Sequence, residues 1–194
     1  MVNETKKPAK IIRNRFVFTA VFAAMIAVSS FILIPLPGFP VPLVLKNLFI
    51  VLAGAILGSF YGAVAVLIFI TAGILGIPVF VIPGLAVFST PLGGYIIGYF
   101  LASLVTGLIC GLPKTSEKNF NAFVLLRLIA ASLLGFSLII ICGVLYMMRL
   151  NSMSFTTALI AGALPYLAGD FIKLAICIPL ALKLRPIAAR YINE

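Results

Sequence analysis

Apolar residues fill most of this chain in long runs, and polar residues interrupt these runs at only a few points. A helix that spans a membrane needs about 20 predominantly apolar residues. The runs predict six helices, which cover approximately Phe16–Ile34, Leu43–Leu57, Ala63–Ile77, Pro91–Gly111, Phe123–Met148 and Phe155–Leu182. Only a short junction, Gly58–Gly62, separates the second helix from the third. The pattern therefore predicts a six-helix bundle over 16–182.

Positive charges lie at the ends of this predicted bundle. Five lysines and arginines occur within 1–15, two occur in the polar loop 113–119, and three occur within 183–194. The connections on the other side hold only Lys46 and Arg149. Because cytoplasmic segments collect lysine and arginine, the first and last of these clusters predict a basic cytoplasmic N-terminal segment and a basic cytoplasmic tail. We expect a single membrane domain over 1–194, all-α, with six transmembrane helices and both termini cytoplasmic.

The composition excludes a soluble fold. Hydrophobic residues make up 63% of the chain and charged residues 9%, whereas a typical globular domain has about half and about a quarter. A chain of 194 residues cannot bury that much apolar surface in water. The net charge of +10 comes mainly from the flanking clusters. It therefore indicates contact with membrane lipid and not with nucleic acid.

The chain lacks the residue types on which most enzymes depend. It has no histidine and four carboxylates, of which only Asp170 lies in a predicted span. Acid–base pairs, nucleophile–base dyads and metal sites therefore lack their components. The G-x-x-x-x-G-K-[ST] loop of ATPases is also missing from the sequence. We expect no catalytic residues, no metal and no cofactor, and any uphill transport must take its energy from a partner.

The most informative polar cluster lies in the sixth predicted helix. Asp170 and Lys173 are three residues apart, which places them on one helix face, and Tyr166 precedes Asp170 by one turn. Ionisable residues inside a membrane are costly and commonly mark a ligand path. The alternative is an ion pair that only holds helices together, with Tyr166 as an ordinary interfacial aromatic residue.

Three further features face the predicted outer side. Lys46, beside Asn47, begins the second helix and either extends toward the headgroups or contacts a ligand. The Pro78–Thr90 connection is unusually apolar for an aqueous loop, so it either closes over a cavity as a lid or lies at the membrane interface. Arg149, at the outer end of the fifth helix, is open to both a binding and an anchoring role.

Small residues line one side of the first helix. Ala20 and Ala24 form one pair with four-residue spacing, and Ala23 and Ala27 form a second. This spacing allows another membrane helix to approach closely. By itself the pattern is common in membrane helices.

A series of short motifs runs along the chain, and with them it resembles the BioY family, the biotin-specific S components of energy-coupling-factor (ECF) transporters. The motifs include Ile34-Pro35-Leu36-Pro37, Pro40-Val41-Pro42, Gly73-Ile74-Leu75-Gly76-Ile77-Pro78, Pro91-Leu92-Gly93-Gly94-Tyr95 and Gly169-Asp170-Phe171-Ile172-Lys173. The resemblance implies a six-helix S component in the plasma membrane. Such a subunit binds biotin from the outside as its transported ligand and works with a T component and two ATPase subunits.

The resemblance also implies roles for individual residues. Asp170 and Lys173 match the ligand-binding positions of the family, and the alanines at 20, 23, 24 and 27 match its T-component contact. Biotin carries a cyclic urea, a thioether ring and a carboxylate on an aliphatic chain. Asp170 and Lys173 suit the urea or the carboxylate. The remaining predicted ligand contacts are Tyr166, Lys46, Asn47, Tyr95, Phe80 and Phe88, of which Tyr95 and the two phenylalanines are expected to form apolar walls.

Three segments depart from the family pattern, all on the predicted binding side. Val44-Leu45-Lys46 stands where the family usually has Thr-Leu-Gln, the segment 81–88 is less rich in glycine than the usual lid, and Leu92 replaces a threonine. These departures leave open a ligand such as lipoate or a biotin precursor. A membrane scaffold without a small ligand is the alternative from another class.

Overall fold

The computed structural model describes residues 6–34, 43–115 and 121–193. Its elements in chain order are α1 (Lys6–Ser29), β1 (Leu33–Ile34), β2 (Leu43–Val44), α2 (Lys46–Ile74), a 3₁₀ helix (Leu85–Ser89), α3 (Leu92–Cys110), α4 (Ala122–Asn151), α5 (Phe155–Gly162) and α6 (Leu164–Ile192). Apart from β1 and β2, which form a two-residue antiparallel pair, the described fold is helical. The proline-rich segment 35–42, which carries two of the family motifs, and most of the polar loop, at 116–120, lie outside the described residues.

Four helices of the described chain are long and apolar enough to cross a membrane. They are Ala9–Ser29, Lys46–Ile74, Leu92–Cys110 and Ala122–Asn151. The prediction of an all-α protein with membrane-spanning helices is confirmed at this level.

The second and third predicted helices form one continuous element, α2, that reverses direction at Gly58. Gly58 has φ 79° and ψ −178°, a backbone conformation that residues other than glycine rarely adopt. In a straight helix Gly54 and Gly62 would be about 12 Å apart. Here a Cβ added to Gly62 would lie 2.8 Å from the Gly54 Cα, so the two parts of α2 run back along each other. We call 46–57 the first arm and 59–74 the second arm.

The predicted limits of the first and the sixth helix are wrong. The first helix begins at Lys6 inside the basic segment and ends at Ser29, because lysine and arginine are good helix formers and the apolar run marks only the part that fits a membrane. The predicted helix Phe155–Leu182 is two helices, α5 and α6, which meet at Ala163. Pro165 stands in the first turn of α6, where its missing N–H is tolerated but where it disfavours a continuous helix.

The middle of the chain agrees more closely with the predictions. α3 begins one residue after the predicted Pro91 and ends at Cys110, and Gly111 follows with φ 61°. α4 begins at Ala122, where the Asn121 side chain accepts a hydrogen bond from the Phe123 N–H. An asparagine in this position satisfies one of the unpaired N–H groups at a helix start.

Both arms of α2 lie at the centre of the bundle, and nine of the twelve residues of the first arm are buried. α2 packs against α1, α3 and α6, and α3 packs in turn against α4. Close approach depends on small residues: a Cβ added to Gly54 would lie 2.2 Å from the Ser103 carbonyl oxygen on α3. Such contacts are typical of helices packed in a membrane.

Hydrogen bonds join the first half of α1 to the end of α6, and the end of α6 to the residues that follow α3. The Asn14 amide donates to the Tyr191 carbonyl at 2.8 Å, and Arg15 Nε donates to the Ile192 carbonyl at 2.7 Å. The Asn193 amide donates to the Pro113 carbonyl at 2.6 Å. These three segments therefore lie at one end of the bundle.

Candidate ligand-binding site

Asp170 and Lys173 form the only ion pair among the described residues. Lys173 Nζ lies 2.7 Å from Asp170 Oδ1, and the two side chains are 2% and 9% exposed respectively. The pair forms on one face of α6, one turn apart, as the spacing predicts. Asp170 also lines a crevice of about 90 Å³ between α4 and α6, which has room for a few water molecules. The carboxylate is therefore paired and still accessible from this crevice.

Three tyrosines gather around the ion pair. Tyr95 and Tyr99 lie one turn apart on α3, and the Tyr95 hydroxyl donates to the Gly162 carbonyl at 2.7 Å. The ring of Tyr166 lies 5.9 Å from that of Tyr95. Tyr166 itself lies one turn before Asp170 on α6. The structure thus brings together the predicted residues Asp170, Tyr166 and Tyr95 from α6 and α3.

Lys46 points toward this group from α2. Its ammonium lies 5.3 Å from the centre of the Tyr99 ring, and Tyr99 is buried. Asn47, the next residue, has a buried side-chain oxygen that accepts no hydrogen bond in the described part of the chain. The first turn of α2 therefore presents a cation beside Tyr99, and the next residue carries an unpaired amide oxygen.

Phe80 and Phe88 anchor the predicted lid. Phe80 is buried and packs edge-on against Phe69 with ring centres 5.4 Å apart. The Phe88 carbonyl accepts a hydrogen bond from the Tyr146 hydroxyl on α4. Between these anchors Val81 is 82% exposed, so the segment is fixed at two points and open between them. Neither phenylalanine has a described contact with the ion pair, and their role as ligand walls stays a prediction.

The alanines of α1 divide between two surfaces. Ala20 and Ala24 are exposed, Ala27 is half-buried, and Ala23 is only 6% exposed inside the core. Ala23 therefore packs within the bundle, whereas the predicted contact of these alanines with a T component stays a prediction. Ala24 lines a shallow apolar groove of about 360 Å³ with Val21 and Val28.

Sequence reasoning missed two buried residues, one at the ligand site and one at the opposite end of α6. Tyr99 carries the contact with Lys46, and its spacing of one turn from Tyr95 was the available signal. Arg185 was assigned to the basic tail, but it is 2% exposed and donates to the carbonyls of Ala55, Cys110 and Gly111. The buried positions 177, 181, 185, 188 and 192 of α6 follow a helical period, and that period identifies 185 as an inward position.

Comparison with known proteins identifies the group to which this architecture belongs. The model of the BioY family matches residues 3–190. The chain belongs to the BioY family. The resemblance seen in the short motifs is thereby confirmed over almost the whole chain.

Curated relatives in the family come from bacteria and archaea. The biotin transporter BioY of Thermotoga maritima is 31% identical over 89% of this chain and 96% of its own length. The probable biotin transporter BioY of Pyrococcus horikoshii is 33% identical over 86% of this chain and 93% of its own length. The biotin transporter BioY of Rhodobacter capsulatus is 35% identical over 80% of this chain and 84% of its own length.

A crystal structure shows the same fold. It is that of the S-component for biotin from an ECF-type ABC transporter, and it matches with a TM-score of 0.73 at 26% sequence identity. The match covers 95% of this chain and 94% of the other. The BioY relatives are named as transporters, in agreement with the expectation that the chain is not an enzyme.

Proposed function

We propose that this chain is the biotin-binding S component of an ECF-type importer in a prokaryotic plasma membrane. The observation that carries the proposal is the match over 95% of the chain to the S-component for biotin. Membership of the BioY family over residues 3–190 supports it. Biotin is the transported ligand and not a cofactor.

The ion pair supplies a site for the cyclic urea of biotin. A urea offers two N–H donors and one carbonyl acceptor. Asp170 accepts from an N–H, and Lys173 donates to the carbonyl, so the pair opens to exchange an internal hydrogen bond for two bonds to the ligand. Tyr95 and Tyr166 place aromatic surface next to this position. Charge-assisted hydrogen bonds in a site without bulk water favour a ligand that matches both groups.

We further propose six membrane crossings, made by α1, the two arms of α2, α3, α4 and α6. The reversal at Gly58 supports the count because it turns one apolar block into two antiparallel segments. The hydrogen bonds from Asn14 and Arg15 to the end of α6 support termini on one side. The basic flanks of the sequence favour the cytoplasm as that side.

Import requires partners, because the sequence holds no ATP-binding loop. The proposed partners are a T component and two ATPase subunits. Ala20 and Ala24 have small side chains on the exposed side of α1, so another helix can approach it closely. The apolar groove beside Ala24 continues this surface. In lipid, where helices associate through close packing, this surface suits a helix of the T component. The coupling surface and the ligand site then lie on different helices.

Titration calorimetry of the detergent-purified protein with biotin, dethiobiotin and lipoate tests the proposal. We expect biotin to bind most tightly. Preferred binding of lipoate or dethiobiotin would assign the chain to another carboxylated cofactor. Absence of binding to all three compounds by folded protein would favour a scaffold in which Asp170 and Lys173 only pair.

A further inference from the structure

The first turn of α2 holds a cation without a described anion. The Asp170–Lys173 bridge is the only ion pair of the described residues, and Lys46 is not part of it. Lys46 is half-buried and its ammonium lies against the ring of buried Tyr99. A lysine that extends to the lipid headgroups would direct its ammonium away from the bundle. The direction of Lys46 therefore argues against an anchoring role.

The surroundings of Lys46 favour an anion. Leu45, at the start of α2, makes no side-chain hydrogen bond to the free N–H groups of the first turn. Unpaired N–H groups and the helix dipole give such a helix start a partial positive charge. The Lys46 ammonium and the helix start are thus two features at one place that both favour a negatively charged ligand group.

Tyr99 connects this place to the ion pair. Its ring contacts Lys46, and it lies one turn from Tyr95, whose ring is 5.9 Å from that of Tyr166, one turn before Asp170. The site therefore has two different polar ends. Asp170 and Lys173 together carry no net charge, whereas the start of α2 carries a net positive charge.

We propose that Lys46 determines specificity by binding the carboxylate of the ligand, with the uncharged polar ring of the ligand at Asp170 and Lys173. The inference rests on the proposed function and fixes the direction in which the ligand lies. A neutral pair suits an uncharged urea, since neither charge is left in excess. A lone ammonium at a helix start suits a carboxylate, since each neutralises the other on burial.

The test compares biotin with biotinamide, in which a carboxamide replaces the carboxylate. The wild-type protein should bind biotin roughly ten- to a hundred-fold more tightly than biotinamide, the range expected for one charge-assisted contact. Lys46→Gln should bind both compounds with the biotinamide affinity. Lys46→Arg should keep the preference, and Lys183→Gln, at an exposed position of α6, should change neither value.

The outcomes separate this inference from the proposed function. Binding of neither compound by folded wild-type protein would remove the proposed function. Equal affinity of the wild type for biotin and biotinamide would overturn only the inference. An unchanged preference in Lys46→Gln would overturn it as well, because another group would then bind the carboxylate. The ratio of the wild-type affinities for biotin and biotinamide tests the inference even if a Lys46 variant fails to fold.

Discussion

Removal of both charges of the α6 ion pair separates a binding role from a structural one. Asp170→Asn alone leaves Lys173 buried without its partner, and Lys173→Met alone leaves Asp170 in the same state. Loss of one member of a buried pair costs about 3–5 kcal/mol. The 2.7 Å separation and the low exposure of both side chains make Asp170 and Lys173 a buried ion pair of this kind. Each single variant should therefore lower the unfolding temperature strongly.

The double variant Asp170→Asn/Lys173→Met should behave differently. It leaves no unpaired charge, and replacement of a buried ion pair by groups of similar size is often neutral or stabilising. We expect its stability to return near the wild-type value. Biotin affinity should not return, because the contacts to the urea are absent. The loss should be at least that of one charged hydrogen bond, about 1.5–3 kcal/mol or roughly ten- to a hundred-fold in Kd.

Thermal unfolding in detergent with and without biotin, followed by titration calorimetry, measures both quantities on each variant. The matched control is Lys183→Met, which removes an exposed cation from the same helix. Wild-type biotin affinity in the stable double variant would refute the reasoning and make the pair purely structural. Low stability of the double variant would show that the pair contributes more to folding than its replacement can.

Three further predictions concern other parts of the molecule. Ala24→Trp should keep biotin binding but abolish ATP-dependent uptake and co-purification with the T component. Ala23→Trp should instead disrupt the core and destabilise the isolated subunit. Full uptake by Ala24→Trp would show that this side of α1 does not bind the T component. Arg185→Met should lower stability by about 3 kcal/mol or more, because buried carbonyls lose a charged donor, while Arg190→Met at an exposed position should be close to neutral in the same unfolding assay. Tyr146→Phe should speed biotin dissociation several-fold in stopped-flow measurements by releasing the Phe88 end of the lid, and an unchanged rate would show that this hydrogen bond does not hold the lid closed.

The apolar runs were sufficient to predict which segments form helices. α3 and α4 agree with their predicted limits closely because glycine and asparagine mark their ends. The limits of α1 and α6 were wrong because helices continue beyond the hydrocarbon region, where hydropathy no longer identifies them. Arg185 shows the same effect: its charge suggested an exposed tail, but helical period and the carbonyl ends of neighbouring helices place it inside.

The candidate site could be predicted only in part. Asp170, Lys173 and Tyr166 lie within two turns of one helix, so their grouping follows from local geometry. The contact between Lys46 and Tyr99 joins α2 to α3, and no periodicity in either segment determines which residues meet across helices. The same reason explains Ala23, since the direction from which α2 approaches α1 decides which alanines stay exposed.

The turn at Gly58 has a consequence for the depth of the ligand in the bilayer. The first arm of α2 has room for a rise of only about 18 Å at 1.5 Å per residue, whereas a typical hydrocarbon core is about 30 Å thick. In the proposed topology the start of this arm, with Lys46, therefore lies well below the outer surface of the membrane. The protein must then thin the surrounding bilayer or keep a hydrated funnel above the site. Vitamin capture should thus depend on lipid chain length, and reconstitution in lipids of increasing thickness would reveal that dependence.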